Sequence, residues 1–161
     1  MCIRDSPVSA TETTAPVITR AGTSPRTARQ LFVNIPVNDV QRSITFFEAL
    51  GFTFNAQFTD AAATCMLVGQ DAFFMLMTRE KFQGFTKGSP LGNPLKETNT
   101  LFAVSVGSRA EVDSLYHAAL AAGGTKAVDA QDHGFMYVQS FKDLDGYTWE
   151  LFWMDPAAVN D

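Results

Sequence analysis

The sequence predicts an α+β domain made of two copies of a β-α-β-β-β unit. Three observations carry this. Apolar residues alternate along short runs, which is the period of a half-buried strand. Between the runs lie two stretches with helical spacing, each with a polar cap before it and glycine after it. The order of elements then repeats, with Asp39 set against Ser108 and Phe32 against Leu101, an offset of 69 residues. A two-copy repeat of this length argues for a paired-module domain rather than a solenoid.

The elements follow in order. Leu31, Val33, Ile35 and Val37 share one face of the first strand; Phe32, Asn34 and Pro36 share the other. Asn38 and Asp39 offer a helix N-cap. Val40, Ile44, Phe47 and Leu50 form the buried stripe, and Gly51 sits where a helix-ending glycine belongs. Three β-like runs follow over Thr53–Thr59, Thr64–Val68 and Ala72–Thr78, with Gly69-Gln70-Asp71 turning into the third. In the second copy, Leu101–Val106 is the apolar strand. Ser108-Arg109-Ala110-Glu111 has the capping-box pattern, in which Ser and Glu satisfy each other's backbone amides. Val112, Leu115, Ala119 and Ala122 make its stripe, and Gly123-Gly124 ends it. Further β-like runs fall around Lys126–Asp129, Phe135–Phe141 and Tyr147–Trp153, the last entered through Asp143-Leu144-Asp145-Gly146.

Module one spans 30–78, a linker 79–99 and module two 100–156. The linker, with Gly84, Gly88, Pro90, Gly92 and Pro94, is too long for a tight turn and reads equally as a functional lid or a loose connection. Residues 1–29 are rich in Thr, Ser, Ala and Pro and read as a disordered tail. Met1-Cys2-Ile3-Arg4-Asp5-Ser6 resembles a translated sequencing-adaptor scar, so the tail is set aside from fold reasoning.

The 161 residues fit one domain. Hydrophobic residues at 46% and charged residues at 18% suffice for a core and exclude disorder of the body. Fourteen Phe residues suggest a phenyl-lined interior or pocket. A net charge of −5 without a dense basic patch argues against nucleic-acid partners. No apolar run approaches the ~20 residues that span a bilayer, so no membrane partner is expected. Two cysteines, Cys2 and Cys65, are too few for a disulfide framework and suit a reducing, cytoplasmic setting. Cys65 reads as an inert small hydrophobe.

The last strand is the most informative. Trp149, Leu151 and Trp153 point one way; Thr148, Glu150 and Phe152 point the other. A strand apolar on both faces is buried on both. Glu150 is therefore expected inside, where a carboxylate needs a partner or a raised pKa. That makes it the leading catalytic candidate; the alternative is a structural Glu or one exposed at a rim.

The two-module plan, the stretch Val37-Asn38-Asp39-Val40-Gln41-Arg42-Ser43 with Phe46-Phe47 and Leu50-Gly51-Phe52, and Asp143-Leu144-Asp145-Gly146-Tyr147-Thr148-Trp149-Glu150-Leu151 together resemble the vicinal oxygen chelate superfamily. That superfamily includes glyoxalase I, bleomycin- and fosfomycin-resistance proteins and extradiol dioxygenases. The resemblance covers the whole body, with Leu144 in place of the usual proline. It implies two βαβββ modules whose mixed sheet curls around a central cavity. Its metal-dependent members take ligands from the first and last strands of each module, which align here with Phe32, Met75, Leu101 and Glu150. Three of these four offer no imidazole or carboxylate, so neither a metal nor another cofactor is expected. Asn34 adds one oxygen, still too few.

Within that implied fold, Phe32, Asn34, Phe73, Met75, Met77, Leu101, Thr148 and Phe152 are the candidate ligand-binding residues. For the apolar ones the alternative is a filled core; Met and Phe also suit a pocket that adapts to a small organic molecule. His133, in the loop before a strand, is a candidate acid–base partner of Glu150, and Tyr137 a candidate donor if its strand turns it to the cavity. His117 reads as a surface helix residue. Lys81, Lys87 and Lys96 in the linker read as solvated, or as an attraction for an anion. The expected function is a glyoxalase/bleomycin-resistance-type domain binding a small molecule. The alternatives are a lactoylglutathione-lyase-like enzyme with Glu150 as general base, and a structural dimerisation module. A homodimer is the expected assembly.

Overall fold

The computed structural model describes residues 27 and 29–158; most of the tail, with Cys2, lies outside them. Module one runs β1 (Leu31–Val37), α1 (Val40–Ala49), β2 (Thr53–Asn55), a 3₁₀ turn (Ala56–Phe58), β3 (Ala63–Leu67) and β4 (Ala72–Thr78). A short helix α2 (Arg79–Phe85) follows. Module two runs β5 (Leu101–Ser105), α3 (Arg109–Ala121), β6 (Thr125–Lys126), β7 (Gln131–Asp132), β8 (Met136–Lys142) and β9 (Thr148–Met154).

Each module makes its own mixed sheet, in the orders β1-β4-β3-β2 and β5-β9-β8-β6, with β7 also pairing β8. The first strand of each module runs parallel to the last: β1 beside β4, β5 beside β9. A parallel neighbour needs a crossover connection, and here the helix and the intervening strands, two in module one and three in module two, supply it.

Caps set the helix starts. Asp39 accepts the Arg42 amide at 2.9 Å, and Gly51 closes α1 at φ +90°. In α3, Ser108 Oγ accepts the Glu111 amide at 3.1 Å, as the capping box predicts. Glu111, however, reaches past Ser108 to the amide of Gly107 at 2.8 Å.

Three expected elements differ. The run Thr53–Thr59 stops at Asn55, because the Asn55 side chain accepts the Gln57 amide and its carbonyl accepts the Thr59 hydroxyl, which turns the chain. The run Lys126–Asp129 keeps only Lys126 in a strand, the two-residue β6, and a second two-residue strand, β7, forms beyond it on the same partner. The linker opens with α2, capped by the Thr78 hydroxyl accepting from the Lys81 amide at 3.3 Å.

The helix-facing sides of both sheets merge into one core. Phe74 of β4 lies 4.8 Å, ring to ring, from both Phe102 of β5 and Trp149 of β9. Phe47 of α1 meets Trp149 at 5.1 Å, and Phe46 meets Phe141 of β8 at 6.1 Å. Trp149, 1% exposed, is the hub; removing such an indole costs about 3–5 kcal/mol. Among the described residues no helix is long and apolar enough to cross a membrane.

Candidate functional site

Because the helix sides close on each other, each sheet keeps a second face directed away from that core. Strand register assigns its residues. On the first sheet Phe32 pairs with Phe73, Asn34 with Met75, and Pro36 with Met77. On the second, Leu101 pairs with Thr148, Ala103 with Glu150, and Ser105 with Phe152. All eight candidate ligand-binding residues thus lie on these open faces. Phe32 and Leu101 are 48% and 53% exposed, and Phe73, Met75 and Phe152 are half-buried. Phe32 and Phe73 stack at 4.8 Å. Asn34 is exposed and its amide nitrogen donates to the Phe32 carbonyl at 3.3 Å. Met77 and Thr148 are buried. Cys65, opposite Met75, is buried too, and burial pushes its thiol pKa up, as suits an inert residue.

Glu150 shares the open face but is half-buried rather than enclosed, flanked by Ala103 and Ser140 on the neighbouring strands. Its expected helpers are elsewhere. Tyr137 pairs with Trp153, so it points to the helix side, where its hydroxyl donates to Asp113 of α3 at 2.7 Å. That bond lowers the Asp113 pKa and raises that of Tyr137. His133 is exposed in the β7–β8 turn, its amide donating to the Met136 carbonyl at 2.9 Å. Ser140 is the neighbour of Glu150 on β8, and Met136 lies four residues along that strand, roughly 13 Å at the usual rise. Within one chain, Glu150, His133 and Tyr137 do not converge.

A second cluster surrounds Arg109. Its guanidinium grips Asp132 at 2.7 and 3.0 Å, donates to the Gly134 carbonyl, and lies 5.2 and 5.1 Å from the ring centres of Tyr137 and Trp153. The pair holds the Asp132 carboxyl down at about 2. Its effect is to pin the β7–β8 turn to the start of α3.

The carboxyl that burial raises, to about 6, is Asp143. It accepts the amides of Asp145 and Tyr147 at 2.9 and 3.0 Å and the Trp149 indole at 2.8 Å. Asp145 turns the other way, to module one, accepting the Asn38 amide at 2.8 Å with Arg42 and Ser43 each at 3.4 Å. Tyr147 donates its hydroxyl to the Pro36 carbonyl at 2.9 Å, and burial holds that phenol protonated. The Asp-Leu-Asp-Gly turn is therefore the clamp between modules. The sequence shows it only as a turn; the visible signal is three hydrogen-bonding groups, Asp143, Tyr147 and Trp149, within seven residues.

The four positions that the resemblance aligns with metal ligands do not suit a divalent ion. Phe32 and Leu101 have no donor atom, Met75 has a soft thioether, and Glu150 supplies one carboxylate. A second copy would bring the same four residues. Among the described residues no three His, Cys, Asp or Glu side chains cluster closely enough to hold a metal.

Comparison with known proteins follows the fold. Residues 29–69 match the family model described as bleomycin resistance protein-like N-terminal. A hypothetical protein from S. aureus shares 25% identity over 78% of this chain and 94% of its own, with a TM-score of 0.67. A glyoxalase/bleomycin resistance protein/dioxygenase family enzyme from Burkholderia phytofirmans shares 17% over 79% and 99%, with a TM-score of 0.66. A fosfomycin resistance protein from Listeria monocytogenes shares 15% over 81% and 97%, with a TM-score of 0.58. No curated protein matches the sequence.

Proposed function

We propose, for a chain that has the vicinal oxygen chelate fold and matches the bleomycin-resistance-like model over residues 29–69, a metal-independent small-molecule-binding protein that works as a homodimer. The observation that carries this is the pair of open faces. They present Phe32, Phe73 and Met75 on the first sheet and Leu101, Phe152 and a single carboxylate, Glu150, on the second, and leave Phe32 and Leu101 about half exposed. Aromatic and thioether side chains at a sheet surface gain free energy when a second surface or an organic molecule covers them. A second copy supplies the missing wall, so the binding cavity lies between copies. The donor set at the family's metal positions gives the ligand no cation to chelate, so recognition rests on shape and apolar contact.

The test uses the neutral dye Nile red as the probe, on protein treated with chelator. Fluorescence enhancement and a raised melting midpoint are expected, since a ligand of the native state stabilises it. Phe73→Ser should weaken both. Light scattering reports the dimer in the same samples. A wild-type protein that neither binds the dye nor dimerises removes the proposal. A dimer indifferent to the dye leaves the structural dimerisation module in its place.

The lyase reading draws on Glu150 alone, a carboxylate on a half-buried apolar face suited to removing a proton beside a carbonyl. Turnover of the methylglyoxal–glutathione hemithioacetal by wild type and its loss in Glu150→Gln would establish it. No turnover in either protein would exclude it.

A further inference from the structure

Beyond α2, residues 86–100 cross the molecule as a strap without regular structure before entering β5. The strap packs most tightly on Gly146. At Gly146, with φ +94°, an added Cβ would stand 2.6 Å from the Leu95 nitrogen and 2.8 Å from the Pro94 carbonyl carbon. Only glycine lets the two backbones approach so closely. Nearby, Arg79 Nη2 donates to the Gly92 carbonyl at 3.4 Å, and the amides of Lys96 and Glu97 close a turn on the Asn93 carbonyl.

Under this arch lies a cavity of about 280 Å³. Its walls come from both modules and the strap: Pro36, Phe82, Leu91, Tyr147 and Thr148, with Glu97 at the rim. None of the lining residues is Lys, Arg or His, so Glu97 carries the single formal charge on the wall. Its carboxylate stands over Gly92, where an added Cβ would lie 3.5 Å from Oε1. Among the described residues it has no side-chain hydrogen bond or ion pair. The Tyr147 hydroxyl is already committed to Pro36, which fixes its ring as part of the wall.

We infer that this cavity, which reaches the open faces only at their Pro36 and Thr148 ends, is a second ligand site beside the faces that carry Phe32 and Glu150, and that it takes a compact organic cation. The volume is at the small end of ligand pockets and excludes large molecules. The aromatic and aliphatic walls take an apolar body. A carboxylate at the rim of an apolar cavity favours an ammonium and repels an anion. The chain's charge of −5 adds a general bias toward cations.

Three probes of one shape test this: benzylammonium, benzyl alcohol and benzoate, titrated into the ¹⁵N-labelled full chain at low salt. Benzylammonium should shift the amides of Gly92, Asn93, Gly146 and Tyr147 saturably. Glu97→Gln, an exposed change that leaves the core alone, should weaken it about threefold to fivefold, toward the affinity of benzyl alcohol. Benzoate should bind worst, and added salt should narrow the difference. No shift at those amides, shifts confined to Phe32, Phe73 and Glu150, or equal binding of benzoate and benzylammonium would each overturn the inference. So would a Glu97→Gln protein with wild-type affinity.

Discussion

The Asn38 amide donates to Asp145 Oδ1 across 2.8 Å of space and 107 residues of chain. Asp145 is 5% exposed and gathers Arg42 and Ser43 to the same carboxylate. Removing it strands a backbone donor at the junction between modules. Asp145→Ala should lower stability by about 2–4 kcal/mol, read by urea denaturation. A loss under half a kcal/mol would show that water replaces the carboxylate freely.

Asp143 makes stability depend on pH. Burial lifts its pKa from 3.8 to about 6, so the folded protein holds this proton more tightly than the unfolded chain does. Between those values the native state binds more protons, and stability falls as pH rises through the window. The rise from 3.8 to about 6 corresponds to a loss of at most about 3 kcal/mol, complete above pH 6 and absent below about 4. Asp132, held near 2, and Asp113, also lowered, act oppositely at still lower pH. The melting midpoint should therefore rise from pH 7 to about 4.5 and then drop. Asp143→Asn should flatten the upper arm. It should also cost about 1–3 kcal/mol, because an amide nitrogen facing the Trp149 N–H cannot accept from it. Parallel pH profiles for the two proteins would rule this account out.

Gly146→Ala places a methyl group against the strap backbone and strains a positive φ. Destabilisation of about 1–3 kcal/mol is expected, with faster amide exchange at Leu95 and Lys96. Unchanged exchange there would show that the strap does not rest on residue 146.

If copies pair through the open faces, charge at their exposed rims will separate them. Phe32→Glu and Leu101→Glu should each shift light scattering from dimer to monomer while the far-UV spectrum stays native. Both residues are about half exposed in the single chain, so folding should tolerate the change.

The sequence made some of this legible and hid the rest for physical reasons. Alternation along Leu31–Val37 and Thr148–Trp153 revealed strands with two distinct faces, because side-chain direction follows strand parity whatever the partner. The caps at Asp39 and Ser108 were legible because capping is local. The truncation of the Thr53–Thr59 run was not, since Asn55 turns the chain through its own side chain and carbonyl. Helix α2 was hidden by Gly84 within a seven-residue segment, where propensity says little. At the candidate site, the face of Glu150 followed from parity, but its half exposure did not, because that depends on how the sheets pack. Tyr137 belongs to a strand whose parity only its pairing with β9 decides. The clamp stayed hidden because the partners of Asp145 lie more than a hundred positions upstream, beyond any local pattern.

The duplicated architecture also governs how the protein is made. When the first module leaves the ribosome, the Asn38 amide and the Pro36 carbonyl still lack the partners that only residues 145 and 147 bring. The nascent half must wait, with Phe47 and Phe74 without their Trp149 neighbour, until residues 145–149 have been made. Ribosomal pausing or premature termination between the halves would expose that aromatic surface to chaperones, and late codons therefore control the fate of the early ones.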